Sequence, residues 1–168
     1  TLDNHHGKVV RIDKSGRAPA DNPFVDRRGA LPEIYSYGHR NIQGAVLDGE
    51  GRLWTHEHGP QGGDELNLTV AGRNYGWPVI TYGEQYGGGR IGEGLTRKAG
   101  LEQPAAYWVP SIAPSGLAWL ASDRYGPEWQ GDLFVGSLKF GHLVRVPLDG
   151  VTAGTPERVL ELQGRVRD

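Results

Sequence analysis

Apolar residues recur along this chain in short alternating runs and nowhere with a sustained helical period. Alternation marks strands, so an all-β chain with little helix is expected. GKVVRID (7–13) predicts a first strand, ended by KSG. APADNPF (18–24) is a Pro-rich loop, and LPEIYSY (31–37) is a short strand or the approach to one. Residues 41–47 form a weak strand candidate, and a Gly49-Glu50-Gly51 turn separates it from Leu53-Trp54-Thr55-His56. ELNLTV (65–70) alternates with period two and stops at Ala71-Gly72-Arg73-Asn74. Residues 82–100 carry seven glycines and few large apolar side chains, which predicts a long surface loop, mobile or ligand-bearing. Residues 115–120 read as a strand. GDLFVGS (131–137) and HLVRVPL (142–148) read as a hairpin around LKFG, with Pro147 placing the second strand at an edge. Residues 158–162 give one further strand.

A degenerate repeat runs through this pattern. GRLWTHEH followed by ELNLTVAG resembles GDLFVGSL followed by HLVRVPLDG, and GKVVRIDKSG resembles the second half of that unit. Units of this kind cannot bury both faces alone and must stack radially, as propeller blades do. A four-stranded blade takes about 40–50 residues, so the chain supplies about three to four blades. That is too few to close most rings, and residues 1–168 are expected to form one domain that is part of a propeller.

Composition narrows the function classes. A net charge of −2 leaves no electrostatic footprint for nucleic acid or an anionic membrane. No apolar run is long enough for a membrane span, and none at the start reads as a signal peptide. The absence of cysteine excludes disulfides and thiolate chemistry, and is compatible with an oxidising compartment. Thr1 in a chain without methionine leads to the expectation of a processed product or a fragment. The glycines lie beside aromatics and short apolar runs, the pattern of many tight turns between short strands.

Candidate chemistry crowds into residues 38–78. Arg40 and Asn41 follow Gly38-His39; a guanidinium beside a carboxamide suits planar carboxylates or carbonyls, and equally a surface salt bridge with an Asx-type turn. His56 and His58, two apart, share a face of a strand and could form half of a zinc site, but no further ligand follows at zinc spacing. The plainer reading has one imidazole lining a pocket and the other bonding a loop. Gly59-Pro60 followed by Gly62-Gly63-Asp64-Glu65 offers backbone carbonyls and two carboxylates, a mixed oxygen set that calcium accepts. The same residues also read as a β-turn with solvated charges. Lys139 in a hairpin tip, and Arg165 and Arg167 one residue apart, are ordinary surface cations unless they converge with Arg40. Trp54, Trp77, Trp108, Trp119 and Trp129 could stack sugars, though most are expected between blades.

In GHRNIQG (38–44), EHGPQGGDELN (57–67), GRNYGWP (72–78), PSIAPSG (110–116), GDLFVGSLK (131–139) and GRVRD (164–168), taken in order, the chain resembles the soluble quinoprotein aldose sugar dehydrogenases, the glucose/sorbosone dehydrogenase family. The resemblance implies a six-bladed propeller holding pyrroloquinoline quinone (PQQ) and Ca²⁺. It implies cofactor contacts from Arg40, Asn41, Ser111, Lys139, Arg165 and Arg167. It places Ca²⁺ on the carbonyls of Gly59 and Pro60, and a second calcium on Asp64, Glu65 and the Tyr75 carbonyl. The implied reaction oxidises an aldose at C1 to its lactone and passes electrons to an external acceptor, in the periplasm or outside the cell, with a homodimer as one form of the full-length protein. The family's catalytic histidine falls ahead of the segment that opens this chain. No histidine here is therefore expected to be catalytic, and the chain alone is not expected to turn over sugar. Two other readings share the scaffold: a non-enzymatic propeller module binding glycan or protein, and a calcium-dependent propeller lactonase. A binding module has no reason to aim four cations at one centre, and a lactonase needs side-chain ligands around its central metal.

Overall fold

A computed structural model describes residues 1–168. A two-stranded ribbon comes first, β1 (Lys8–Val10) against β2 (Ile34–Tyr37). A four-stranded antiparallel meander follows: β3 (Ile42–Leu47), β4 (Leu53–Glu57), β5 (Asp64–Thr69) and β6 (Ala106–Trp108). The second meander is β7 (Pro114–Trp119), β8 (Leu133–Ser137) and β9 (His142–Val146). A small hairpin, β10 (Leu148–Asp149) with β11 (Thr152–Ala153), then intervenes before β12 (Glu157–Glu161) closes the outer edge against β9. The one helical piece is a 3-10 turn at Pro127–Trp129, and no helix is long and apolar enough to cross a membrane. The two sheets stack face to face with their first strands, β3 and β7, side by side. This is the arrangement of neighbouring blades, and the chain is an all-β part of a β-propeller.

Register explains the core. Trp54 stands opposite Leu68 and His56 opposite Leu66, so these four share one face of the first sheet. That face packs on the second sheet, where Trp54, Leu66, Ala106 and Trp108 meet Leu133, Val135, Val144 and Val146, with Ile112 closing the gap. Each large side chain so buried contributes about 1.5–3 kcal/mol.

The turns are set by short carboxylates. Asp48 accepts the N–H groups of Glu50 and Arg52 on Oδ1, and the Arg52 Nε and Trp54 Nε1 groups on Oδ2 at 2.7 and 2.9 Å. Burial alone would raise its pKa; the four donors outweigh burial and bring it down to about 2. Asp13 repeats the device with the N–H groups of Ser15 and Arg17. Both turns read Asp-x-x-Gly-Arg in the sequence.

The two clearest copies of the repeat are the β4–β5 and β8–β9 pairs. The expected three to four units resolve into two whole sheets and a ribbon, because long connections such as residues 70–105 consume chain without adding blade strands. Pro147 does not put its strand at an edge: β9 is paired on both sides, by β8 and β12. The proline lies one residue beyond Val146, where it removes no ladder hydrogen bond and opens the β10–β11 hairpin. The first strand is shorter than its sequence pattern, and β6, β10 and β11 are too short to carry a pattern at all.

Candidate cofactor and metal site

The second face of the first sheet is polar and yet buried. Thr55, Glu57, Glu65, Asn67 and Thr69 alternate with the core residues on β4 and β5, and all are buried. The cover comes from elsewhere in the chain. His39 stacks on the Tyr75 ring at 4.5 Å between centroids, with Nε2 2.8 Å from Ser36 Oγ and Nδ1 3.7 Å from Glu57 Oε1. A small cavity remains between Arg40, Glu57, Gly59, Glu65, Tyr75, Trp77 and Thr81.

Glu57 and Glu65 stand directly opposite each other across the β4–β5 ladder. Burial first, and then the Glu57 carboxylate, push the Glu65 pKa up to about 8, against a hydrogen bond from Asn67 that lowers it. Asn67 Nδ2 lies between the two carboxylates, 3.5 Å from one and 3.3 Å from the other, while its Oδ1 and His39 Nδ1 have no partner. Buried polar atoms without partners are rare, and two of them stand here beside a buried carboxylate pair.

Asp64, which begins β5, builds the loop geometry. It accepts the Gly59 N–H on Oδ1 at 2.9 Å. On Oδ2 it accepts the Ser111 hydroxyl and the N–H groups of Ile112 and Ala113 at 2.7, 2.9 and 3.1 Å. Its oxygens are spent on tying the 57–64 turn to the loop before β7. Gly59 is the residue the turn requires, since a Cβ there would overlap the Gly62 carbonyl. The carbonyl oxygens of Gly59, Pro60 and Tyr75 accept no hydrogen bond from the protein.

Arg40 borders this turn. Its guanidinium donates to the His58 carbonyl at 3.0 Å, lies 5.2 Å from the Trp77 ring centroid and reaches Tyr86 Oη at 3.4 Å. It makes no ion pair. On its other side a cleft of about 630 Å³ opens towards Asn4, His6, Lys8 and Asn74. Asn41 is exposed, and its carbonyl accepts the His58 N–H at 2.9 Å.

The remaining predicted cations lie elsewhere on the surface. Lys139, in the β8–β9 turn, has its ammonium 4.8 Å from the Phe140 ring centroid. Lys139, Arg165 and Arg167 are exposed, and their charged ends make no ion pair or hydrogen bond. None of the three lines a cavity with Arg40. Their backbones are nevertheless linked to the same rim. Lys139 N–H donates to the Ile112 carbonyl, Leu138 N–H to Ala113, and Val166 N–H to Ser137. Ser115 Oγ closes the chain of contacts on the Val166 carbonyl at 2.6 Å. Of the predicted set, Arg40, Gly59, Glu65 and Tyr75 share one cavity; Asp64 and Ser111 share one hydrogen-bonded loop; Lys139, Arg165 and Arg167 are joined to that loop only through main chain.

His56 and His58 reach towards the second sheet. They bond carbonyl oxygens of β7, at Gly116 and Pro114. No group of three or more His, Cys, Asp or Glu side chains is placed to hold a metal by itself. Of the tryptophans, Trp54 and Trp108 are core, Trp119 packs against the core and donates to the Gly131 carbonyl, and Trp129 lies under Arg145. Trp77 alone touches the site.

Sequence reasoning missed Glu57, His39 and Tyr86, and named Trp77 only among five tryptophans that could stack sugars. Glu57 was within reach, because pairing β4 with β5 places it opposite Glu65 once the register is known. Tyr86 belongs to the glycine-rich loop read as mobile or ligand-bearing, but nothing local distinguished it from its neighbours.

The sequence profile of the Glucose / Sorbosone dehydrogenase family matches residues 1–168. The chain is 44% identical over 170 residues to aldose sugar dehydrogenase YliI of Escherichia coli (strain K12), covering 99% of this chain and 46% of that protein. A crystal structure of a glucose dehydrogenase superposes with a TM-score of 0.91 at 44% identity, over 99% of this chain and 49% of the other. The PQQ-bound form of aldose sugar dehydrogenase from Streptomyces coelicolor superposes with a TM-score of 0.72 at 34% identity, over 96% of this chain and 41% of the other. The chain thus spans about half the length of the relatives it matches. With the profile matched from end to end and nearly half the residues shared with an aldose sugar dehydrogenase, the chain belongs to the Glucose / Sorbosone dehydrogenase family.

Proposed function

We propose that this chain supplies part of the cofactor floor of a PQQ- and Ca²⁺-dependent aldose dehydrogenase that oxidises the C1 hydroxyl of a sugar to the lactone. One observation carries the reading. The carbonyls of Gly59 and Pro60 are unspent, in a turn whose N–H is pinned by Asp64, next to an Arg40 guanidinium without a carboxylate partner. Unspent main-chain oxygens suit a hard cation, and an unpaired guanidinium suits a carboxylate or quinone oxygen.

Gly59 and Pro60 would hold the Ca²⁺ beside the cofactor. Glu65 and the Tyr75 carbonyl would hold a second, structural Ca²⁺, with Asp64 shaping the loop through its four hydrogen bonds. Arg40, with Asn41 beside it, would meet the acidic and carbonyl groups of PQQ; Lys139, Arg165 and Arg167 do not converge with Arg40 and are assigned no contact. Ser111 would act through the Asp64 loop that its hydroxyl ties. When bound, the pair supplies a hydride acceptor for the sugar's C1 and Lewis-acid polarisation of that acceptor. Trp77 and His58 hold the Arg40 guanidinium, and the Gly59–Gly63 turn fixes the direction of its carbonyls. His39, His56 and His58 each make a hydrogen bond inside the fold, so none is assigned to accept the sugar's proton. The substrate is an aldose, the electrons leave to an external acceptor, and the setting is periplasmic or extracellular.

Calorimetric titration of the 168-residue chain with PQQ tests the reading. Saturable binding is expected with Ca²⁺ and none with chelator, and Arg40→Ala should weaken it by about tenfold or more. Dye reduction with glucose should stay at background. Failure of PQQ to bind in the presence of Ca²⁺ would overturn the proposal.

A further inference from the structure

Arg40 is gripped at two places. Its guanidinium rests on Trp77 and the His58 carbonyl. Its main-chain N–H, and that of Asn41, donate to Glu57 Oε2 at 2.7 and 3.3 Å. Glu57 is only 4% exposed, and its other oxygen lies 3.5 Å from Asn67 Nδ2 and 3.7 Å from His39 Nδ1. Burying a carboxylate costs heavily unless its oxygens are met by donors. Pairing Glu57 with the guanidinium would meet that need and also neutralise the cation; the structure instead uses backbone N–H groups. The opposite side of the segment has no slack, because Gly38 adopts φ 78° and a Cβ there would overlap the Asn74 side chain.

We infer that Glu57 is a positioning residue. By holding the N–H groups of Arg40 and Asn41 it fixes the guanidinium where an anionic ligand meets it, and it leaves that guanidinium's charge free. The identity of the anion, PQQ, rests on the function proposed above; the grip does not.

Glu57→Ala leaves two N–H groups without an acceptor, whereas Glu57→Gln keeps an oxygen for both. With PQQ and Ca²⁺ in calorimetry, Glu57→Ala should weaken binding about tenfold. Glu57→Gln should stay within about threefold of the native chain. In an Arg40→Ala background, Glu57→Ala should have no further effect, since it acts through Arg40. Equal weakening in both backgrounds, or a Gln variant as poor as the Ala variant, overturns the inference. Amide exchange of Arg40 and Asn41, followed by NMR, reads the grip without any ligand. It should be slow in the native and Gln chains and about tenfold faster in the Ala chain. Equal exchange in the native and Ala chains overturns the grip whatever PQQ does. A native chain that shows the exchange difference but binds no PQQ supports the grip and overturns the proposed function instead. Should Glu57→Ala not fold, Glu57→Met fills the space without accepting and takes its place.

Discussion

His58 Nε2 lies 2.7 Å from the carbonyl oxygen of Pro114, joining the end of β4 in one sheet to the first residue of β7 in the next. His56, two residues earlier, reaches the Gly116 carbonyl at 3.3 Å. Residues two apart on a strand share a face, and so do the two carbonyls they meet. The His-x-His pair is therefore a two-point clamp between blades. Gly44 leaves it room, since a Cβ there would stand 2.6 Å from His56 Nε2.

Losing one point of the clamp should be measurable. His58→Ala removes a short hydrogen bond and orphans a carbonyl, at a cost of about 1–2 kcal/mol. For a chain of this size that lowers the melting temperature by about 2–4 °C per kcal/mol. Thermal unfolding of His58→Ala, with His58→Gln as the partial replacement, checks it; an unchanged transition rules out the clamp.

The clamp also carries a pH dependence. Burial pulls the pKa of His56 below its ordinary 6.5. Its folded pKa is below its unfolded one, so its stabilising effect is whole above about 6.5 and is lost as pH falls towards the depressed folded value. Urea unfolding between neutral and mildly acidic pH should show this slope, and His56→Phe should flatten it.

Asp48 governs a lower window. With its pKa brought from 3.8 to about 2, it stabilises the fold fully above about 4 and loses that contribution as pH falls towards 2. The contribution is on the order of 2 kcal/mol. Asp48→Asn should lose that amount at neutral pH and show a shallower acid limb in chemical denaturation.

Asp64 should be the costliest carboxylate to remove. Asp64→Ala strands the N–H groups of Gly59, Ile112 and Ala113 and the Ser111 hydroxyl together, for an expected loss of about 3 kcal/mol or more. The calcium proposed for the Gly59–Pro60 turn should be lost from any Asp64→Ala chain that still folds, because the turn loses its tether. A variant with native stability and native calcium affinity contradicts this account.

Glu65 behaves in the opposite sense to Asp48. In the chelated chain its folded pKa of about 8 lies above the ordinary 4.5. Stability is then complete below 4.5 and is lost as pH rises through 8. Glu65→Gln should stabilise the chelated chain at pH about 9. In the native chain, Ca²⁺ should raise the melting temperature and chelator reverse it; in Glu65→Gln the response should shrink. No calcium response in the native chain would remove Glu65 and the Tyr75 carbonyl as ligands.

Much of the fold was legible because strand signals are local. ELNLTV alternates, and it became β5; LWTH became the body of β4; DLFVGS and HLVRV became β8 and β9. The Asp48 turn is readable too, as a short acceptor placed before Gly51. The site was legible in pieces. Residue types singled out the Gly59–Pro60 turn and Arg40 but left plainer readings open, and only the family resemblance tied them to one site; the His-x-His pair was open between a half zinc site and a pocket or loop role, since its partners are main-chain carbonyls with no side-chain signature. The grip of Glu57 on Arg40 and Asn41 was invisible for a similar reason: it takes backbone N–H groups, which every residue has.

The sequence by itself determined which side chains share a face within each strand, because the period of two sets Thr55 against Trp54 and His56 in one run and Glu65 and Asn67 against Leu66 in the other; the register that puts Thr55, Glu57, Glu65 and Asn67 on one side came from the structure. The sequence could not say that both sides would be dry. Alternation ordinarily leaves the polar side in water; here residues 34–39 and 75–81 fold across it, and only that cover buries the carboxylates, lifts Glu65 and encloses the cavity beside Arg40. The deciding contacts join residues far apart in the chain, where local spacing carries no information about what will lie on top.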